Sequence, residues 1–191
     1  MVVVVVAEFL GTFLFLFLAF AATQTALNTQ VQTDVPSQNS ETEGGGSSPL
    51  LPVSFLYIAA AFGTSLAINV WVFYRVSGGM FNPSLLLTIY FLAAEKHRAT
   101  FLAPIGIGIS AFIAHLAGTP YTGTSINPVR SFGPDVITGF VRYHWIFWVA
   151  PCFGAVLAIG VYKLMKCMDY EDVNGGQDAA DTEAARGNRL D

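Results

Sequence analysis

Ser77-Gly78-Gly79-Met80-Phe81-Asn82-Pro83-Ser84 and Gly123-Thr124-Ser125-Ile126-Asn127-Pro128-Val129-Arg130 decide the reading of this chain. Each places Asn-Pro after a loop of small residues and before a run compatible with a helix. Asn is a favoured helix N-cap, and Pro suits the first helical position, where its missing N–H costs nothing. Taken singly, Asn-Pro is a common turn dipeptide. Twice in one chain, each time beside an apolar span, it points to two re-entrant half-helices. Each would bring a positive helix end and an Asn carboxamide to a water-filled cavity inside a membrane. Two such ends facing each other would orient water and repel cations, protons included.

The surrounding composition is that of a membrane protein: 53 % of the 191 residues are hydrophobic, 12 % are charged and sixteen are Phe. Residues 2–22 hold one charge, Glu8, in a run long enough to cross the roughly 30 Å hydrocarbon core, and residues 53–74 hold none before Arg75. Residues 99–118, with Pro104 and His115, and 145–165, with Pro151, Lys163 and an interfacial Trp145 and Trp148, are two further spans. The predicted fold is all-α, a polytopic helical membrane protein of about four full spans, with half-helices starting near residues 82 and 127.

Sidedness follows from the loop charges. Arg75, Lys96, Arg98, Lys163, Lys166, Arg186 and Arg189 fall on one side of such a topology, which the positive-inside rule makes cytoplasmic, with both termini. Residues 23–52 lack Lys and Arg, are rich in Gln, Ser, Thr and Gly, and read as an extracellular flexible loop containing the linker Gly44-Gly45-Gly46-Ser47-Ser48. Residues 169–191 read as an acidic, disordered cytoplasmic tail. A cleaved signal peptide over the first span is the competing reading. The absence of a basic n-region, the length of the apolar run and Glu8 stand against it. An acid at that depth needs a protein partner.

These residues carry a family resemblance that covers nearly all of 1–168: the chain resembles the aquaporins of the major intrinsic protein family. Ala7-Glu8-Phe9-Leu10-Gly11-Thr12-Phe13 is similar to the family's first helix, Ser77-Gly78-Gly79 with Asn82-Pro83-Ser84 to its first Asn-Pro-Ala loop, and Tyr121-Thr122-Gly123 with Asn127-Pro128-Val129-Arg130-Ser131-Phe132-Gly133-Pro134 to its second. Ser84 and Val129 stand where the family has Ala; Val129 adds two methyl groups where the resemblance brings helix ends together, and so bears on pore width. The resemblance implies a selectivity filter of Phe62, twenty residues before Asn82, with His115, Thr124 and Arg130 at twelve before, three before and three after Asn127. It implies that Asn82 and Asn127 orient passing water, that Glu8 supports the first loop, and that Ser131, where glycerol-conducting relatives carry Asp, favours water. In such a constriction Arg130 donates hydrogen bonds and repels cations. Taken singly, Phe62 reads equally as core packing and His115 as a satisfied buried histidine.

The resemblance also exposes a gap. Only 33 residues separate Asn82 from His115. The third helix and most of the fourth are expected to be missing, with Thr88-Ile89-Tyr90-Phe91-Leu92-Ala93-Ala94-Glu95-Lys96-His97-Arg98 resembling the end of the fourth and its inner loop. The join is expected to make one continuous helix of about a dozen residues that keeps later sidedness. The family's second supporting acid has no counterpart, so the loop around Thr119 to Ile126 needs other partners for its backbone.

The expectation is therefore a channel for water or small neutral solutes, impaired by the lost helices. The alternative is a non-conducting subunit that binds and modulates intact relatives. The partners implied are the lipid bilayer and a homo-oligomer, a tetramer in the family, or a hetero-oligomer with intact relatives. No basic patch suggests nucleic acid. No enzyme, cofactor or metal site is expected, since His97, His115 and His144 lack ligand spacing and no nucleophile, base and acid converge in the pattern. Cys152 reads as packing and Cys167 as a juxtamembrane thiol open to palmitoylation.

Overall fold

The computed structural model describes residues 2–33, 52–94 and 100–170. The linker at Gly44–Ser48, the charged stretch 95–99 and the tail beyond Tyr170 lie outside the described residues. Helices α1 (Val2–Thr33), α2 (Pro52–Ser77), α4 (Ala103–Thr122) and α6 (Ile146–Cys167) are each long and apolar enough to cross a membrane. Between them lie α3 (Leu86–Ile89), a single turn inside an irregular helical segment, and α5 (Pro128–Thr138), the second half-helix. The chain is an all-α polytopic membrane protein.

Helix α1 runs past the boundary expected at residue 22, so residues 23–33 are helical and not loop. The physical reason is local. Thr23, Thr25 and Thr29 donate their hydroxyls to the carbonyls of Ala19, Ala21 and Thr25 at 2.8, 3.0 and 2.8 Å, and Gln24 donates to Asn28 at 2.8 Å. A polar stretch that satisfies its side chains on its own helix can leave the apolar core without breaking.

Helix α2 is the centre of the bundle, packed between α1 and α4. It crosses α4 where both have glycine: a Cβ on Gly63 would lie 2.8 Å from the Gly108 carbonyl oxygen, and one on Gly108 would lie 2.6 Å from that of Gly63. Small residues at a membrane helix crossing let the backbones meet, which is how helices associate when lipid is as apolar as the side chains. On its other side Ser65 donates to the Phe15 carbonyl at 2.8 Å, and Phe15 meets the Phe62 ring edge to face. The core is therefore a strip of Phe15, Phe62, Leu66, Val70 and Ile107. By contrast Val149, Phe153 and Val156 of α6 face outward, as the bilayer requires of a span with few protein neighbours. Cys152 is exposed on α6 with them, which corrects the expectation that it packs; Cys167 is exposed as well.

The segment after Asn82 is helical from Pro83 to Ala94, as expected for the join, but it is not one regular helix. It begins as a tight 3-10 turn (Pro83–Leu85), passes through α3, and ends as a wide π-turn (Tyr90–Ala94). The wide turn is pinned from outside: Tyr90 stacks on Tyr162 of α6 at 4.7 Å, and the Ala93 carbonyl accepts the Tyr74 hydroxyl at 2.7 Å. Tertiary contacts on the last turn of a short helix thus override its 3.6-residue period.

Candidate functional site

Both Asn-Pro turns cap helices as their chemistry demands. Asn127 is extended at φ −140°, ψ 116° and its Oδ1 accepts from the Val129 N–H at 3.1 Å; Asn82 Oδ1 accepts from the Ser84 N–H at 3.0 Å. Pro83 and Pro128 occupy the first helical positions. Both Asn side chains are buried. Their amide nitrogens differ. Asn127 Nδ2 donates to the Phe81 carbonyl at 2.8 Å, tying the second loop to the first, whereas Asn82 Nδ2 is buried without a partner among the described residues.

The loops are held in different ways. The first turns on Gly78 and Gly79 at φ 89° and 65°, where glycine is favoured, and the Glu8 carboxylate accepts the Met80 N–H at 3.2 Å from 72 residues away. It is pressed against α1 so closely that a Cβ on Gly11 would run into the Phe81 ring. The second loop has one left-handed glycine, Gly123, followed by Thr124, Ser125 and Ile126 at φ 72°, 50° and 47°. Left-handed backbone costs residues other than glycine roughly 1–2 kcal/mol each, so the surroundings must hold these three there. A hydroxyl network does so: Thr119 bonds the His115 carbonyl and Thr124 Oγ1, while Ser131 donates to Ser125, which donates to the Asn127 carbonyl at 3.3 Å. These hydroxyls give the loop local partners where the sequence offers no supporting acid.

The four residues separated in sequence come together above the second turn. Phe62 and His115 stack with ring centroids 4.1 Å apart and planes at 17°, and Arg130 Cζ lies 5.3 Å from the Phe62 centroid. Thr124 Oγ1 is 3.4 Å from the His115 carbonyl. His115 Nδ1 is 2.8 Å from the Ala111 carbonyl, which assigns the proton to Nδ1 and leaves Nε2 as an acceptor. Buried atoms without a partner among the described residues are Asn82 Nδ2, His115 Nε2 and Arg130 Nε, two donors and an acceptor. The rings of Phe62 and His115 touch face to face, so water cannot pass between them in this conformation.

Val129 does not press on the meeting point of the helix ends. It is half exposed and lines an apolar groove of about 510 Å³ between α1 and α5, with Gly133, Ile137, Phe13 and Phe17. Ser84 lines a second cavity of about 410 Å³, with Thr124, Ser125 and Pro151, between the loops and α6. Phe20 was missed in the sequence: its ring meets Phe62 edge to face at 5.8 Å, and only its apolar character was legible.

Comparison with known proteins identifies the class. The family model for major intrinsic proteins matches this chain twice, over residues 2–94 and 84–162. The matches overlap at residues 84–94, which is the irregular helix at the join. Aquaporin-1 of Gibberella zeae is 43 % identical over 243 aligned residues, covering 92 % of this chain and 73 % of that protein. Aquaporin-7 and Aquaporin-2 of Botryotinia fuckeliana are 40 % and 37 % identical, over 93 % and 92 % of this chain and 52 % and 62 % of their own lengths. These alignments run over more positions than the 191 residues of this chain, so the relatives carry intervening residues that it lacks. The chain belongs to the major intrinsic protein family. It is an integral membrane protein of channel type and not an enzyme.

Proposed function

We propose that the chain forms a membrane channel for passive water transport, with Asn82 and Asn127 at the meeting of the half-helices and Phe62, His115, Thr124 and Arg130 as its filter. The observation that carries this reading is the convergence of those four side chains, two of which, His115 and Arg130, hold buried polar atoms without a partner among the described residues. A buried polar atom without a partner costs about 1–3 kcal/mol, which a passing water would relieve. The charge of Arg130 excludes cations, and the size of the constriction excludes larger solutes. Conduction is impaired relative to intact relatives, because Phe62 rests flat on His115 and leaves no room for water between the two rings. Both termini lie on the cytoplasmic side with Arg75, Lys163 and Lys166.

The test is stopped-flow osmotic shrinkage of proteoliposomes holding the folded chain, against empty vesicles and an Arg130→Val, His115→Ala variant. Shrinkage faster than empty vesicles, with solute selectivity altered in the variant, is the expected result. No excess rate from inserted, folded protein overturns it.

A second reading is a non-conducting subunit that modulates intact relatives, assembled with them as a hetero-oligomer. The stacked Phe62 and His115 rings and the capture of Asn127 Nδ2 by Phe81 favour it. Coexpression separates the two, since a modulator changes the permeability of an intact relative while conducting nothing itself.

A further inference from the structure

We propose that Phe20 is a fifth residue of the constriction: a positioning residue on α1 that, with Phe62, clamps the Arg130 guanidinium in the corner made by two aromatic rings. The proposal rests on the reading of this constriction as a filter for neutral solutes, but its central claim is about Arg130 and can be tested without any flux.

The geometry is specific. Arg130 Cζ is 5.8 Å from the Phe20 ring centroid and 5.3 Å from that of Phe62. The two rings meet edge to face, 5.8 Å apart with planes at 88°. One cation therefore sits within the range of attraction of two ring quadrupoles. Among the described residues no carboxylate lies within ion-pair distance of Arg130; Asp135, five residues on in the same helix, bonds His144 at 2.6 Å and reaches the guanidinium only through its charge, without contact. The Nε of Arg130 is buried and has no hydrogen-bond partner among the described residues.

An arginine held by a carboxylate is fixed in place but has its field largely cancelled, and its N–H groups are occupied by the fork of two oxygens. An arginine held by ring faces is fixed by attraction that uses none of its N–H groups and leaves its charge whole. A filter that must repel cations while donating hydrogen bonds to a neutral solute needs the second arrangement. Phe20 is placed to provide it, since one side of its ring meets the constriction and the residue also lines the apolar groove between α1 and α5. It is thus the wall between lipid-side space and the guanidinium.

The experiment uses the full chain in lipid nanodiscs and in vesicles. Nuclear magnetic resonance of the Arg130 guanidinium, assigned by its loss in Arg130→Lys, reads the ring-current displacement. The displacement is expected to fall by about half in Phe20→Leu and to persist in Phe20→Trp. A series of fluorinated phenylalanines at position 20 keeps the shape while draining the ring face, so it answers the question even where Phe20→Leu does not fold. Along that series the proton leak per water conducted, read with an entrapped pH dye, is expected to rise about two- to fivefold, the range of one cation–π contact expressed as a ratio. An Arg130 signal unmoved by Phe20→Leu, or lost equally with Trp and Leu, overturns the clamp. Flat leak across the fluorinated series overturns its part in selectivity. Absence of water flux in the parent protein sinks the channel reading alone, because the resonance experiment still decides the clamp.

Discussion

The two re-entrant loops carry the same Asn-Pro turn and solve the same problem with different chemistry. The first relies on glycine at its left-handed positions and on one carboxylate, Glu8, from the distant start of the chain. The second forces Thr124, Ser125 and Ile126 into left-handed backbone and holds them with the hydroxyls of Thr119, Ser125 and Ser131. Their helices differ in the opposite sense. The second loop leads into a regular α5, the first into a segment that changes pitch twice within Pro83 to Ala94. The turn itself is thus a local device, while the regularity of the helix it starts depends on the neighbours available. The first half-helix runs straight into the join that the overlapping family matches mark, and there its period is set by Tyr74 and Tyr162.

The strongest way to break the comparison is to remove the frame that both loops share. Gly63→Leu would drive a side chain into the Gly108 carbonyl and Phe112. It is expected to cost about 3 kcal/mol or more, the upper end for overpacking, and to abolish both loops together. Thermal unfolding in detergent, with proteolysis as a second readout, checks this; a native-like transition would mean that α2 and α4 separate freely.

Next in size is the contrast between the two asparagines. Asn127→Ala removes both the cap on Val129 and the bond to the Phe81 carbonyl, and should cost about 2 kcal/mol. Asn82→Ala removes only the cap on Ser84, and should cost about 1 kcal/mol. Equal losses of stability on unfolding would show that the loop-to-loop bond contributes nothing.

The supports can be separated by amide hydrogen exchange. Glu8→Gln weakens the acceptor for Met80 by about 1 kcal/mol and should speed exchange in the first loop only. Ser131→Ala cuts the hydroxyl chain to Ser125 at a similar cost and should speed exchange in the second loop only. Crossed effects would mean that the loops open as one unit.

The smallest effect concerns strain. Ile126→Gly loses a partly buried side chain but releases a β-branched residue from φ 47°, so the net change is expected to stay under about 1 kcal/mol. The same substitution at Ile107, buried in helix α4, should cost several times more. A large penalty at Ile126 would show that its backbone is not strained.

The chain by itself determined the features that depend on neighbours in sequence or on the solvent it meets. Four spans were legible from hydropathy, because hydrocarbon accepts only helices whose backbone is satisfied within the segment. The helix starts at Asn82 and Asn127 were legible because they rest on bonds made two residues on. The grouping of Phe62, His115, Thr124 and Arg130 was legible only through the family's spacing. Where α1 ends was misread, since polarity alone signals a loop and the back-bonding of Thr23, Thr25 and Thr29 is seen only once the helix exists. Only the tertiary structure decided that Phe62 lies flat on His115, that Asn127 spends its amide on Phe81, that Val129 turns into a groove and that Phe20 stands beside Arg130. Each of these sets the direction of one side chain by contacts between residues far apart in the chain, and direction of that kind is fixed by packing, which no local pattern encodes.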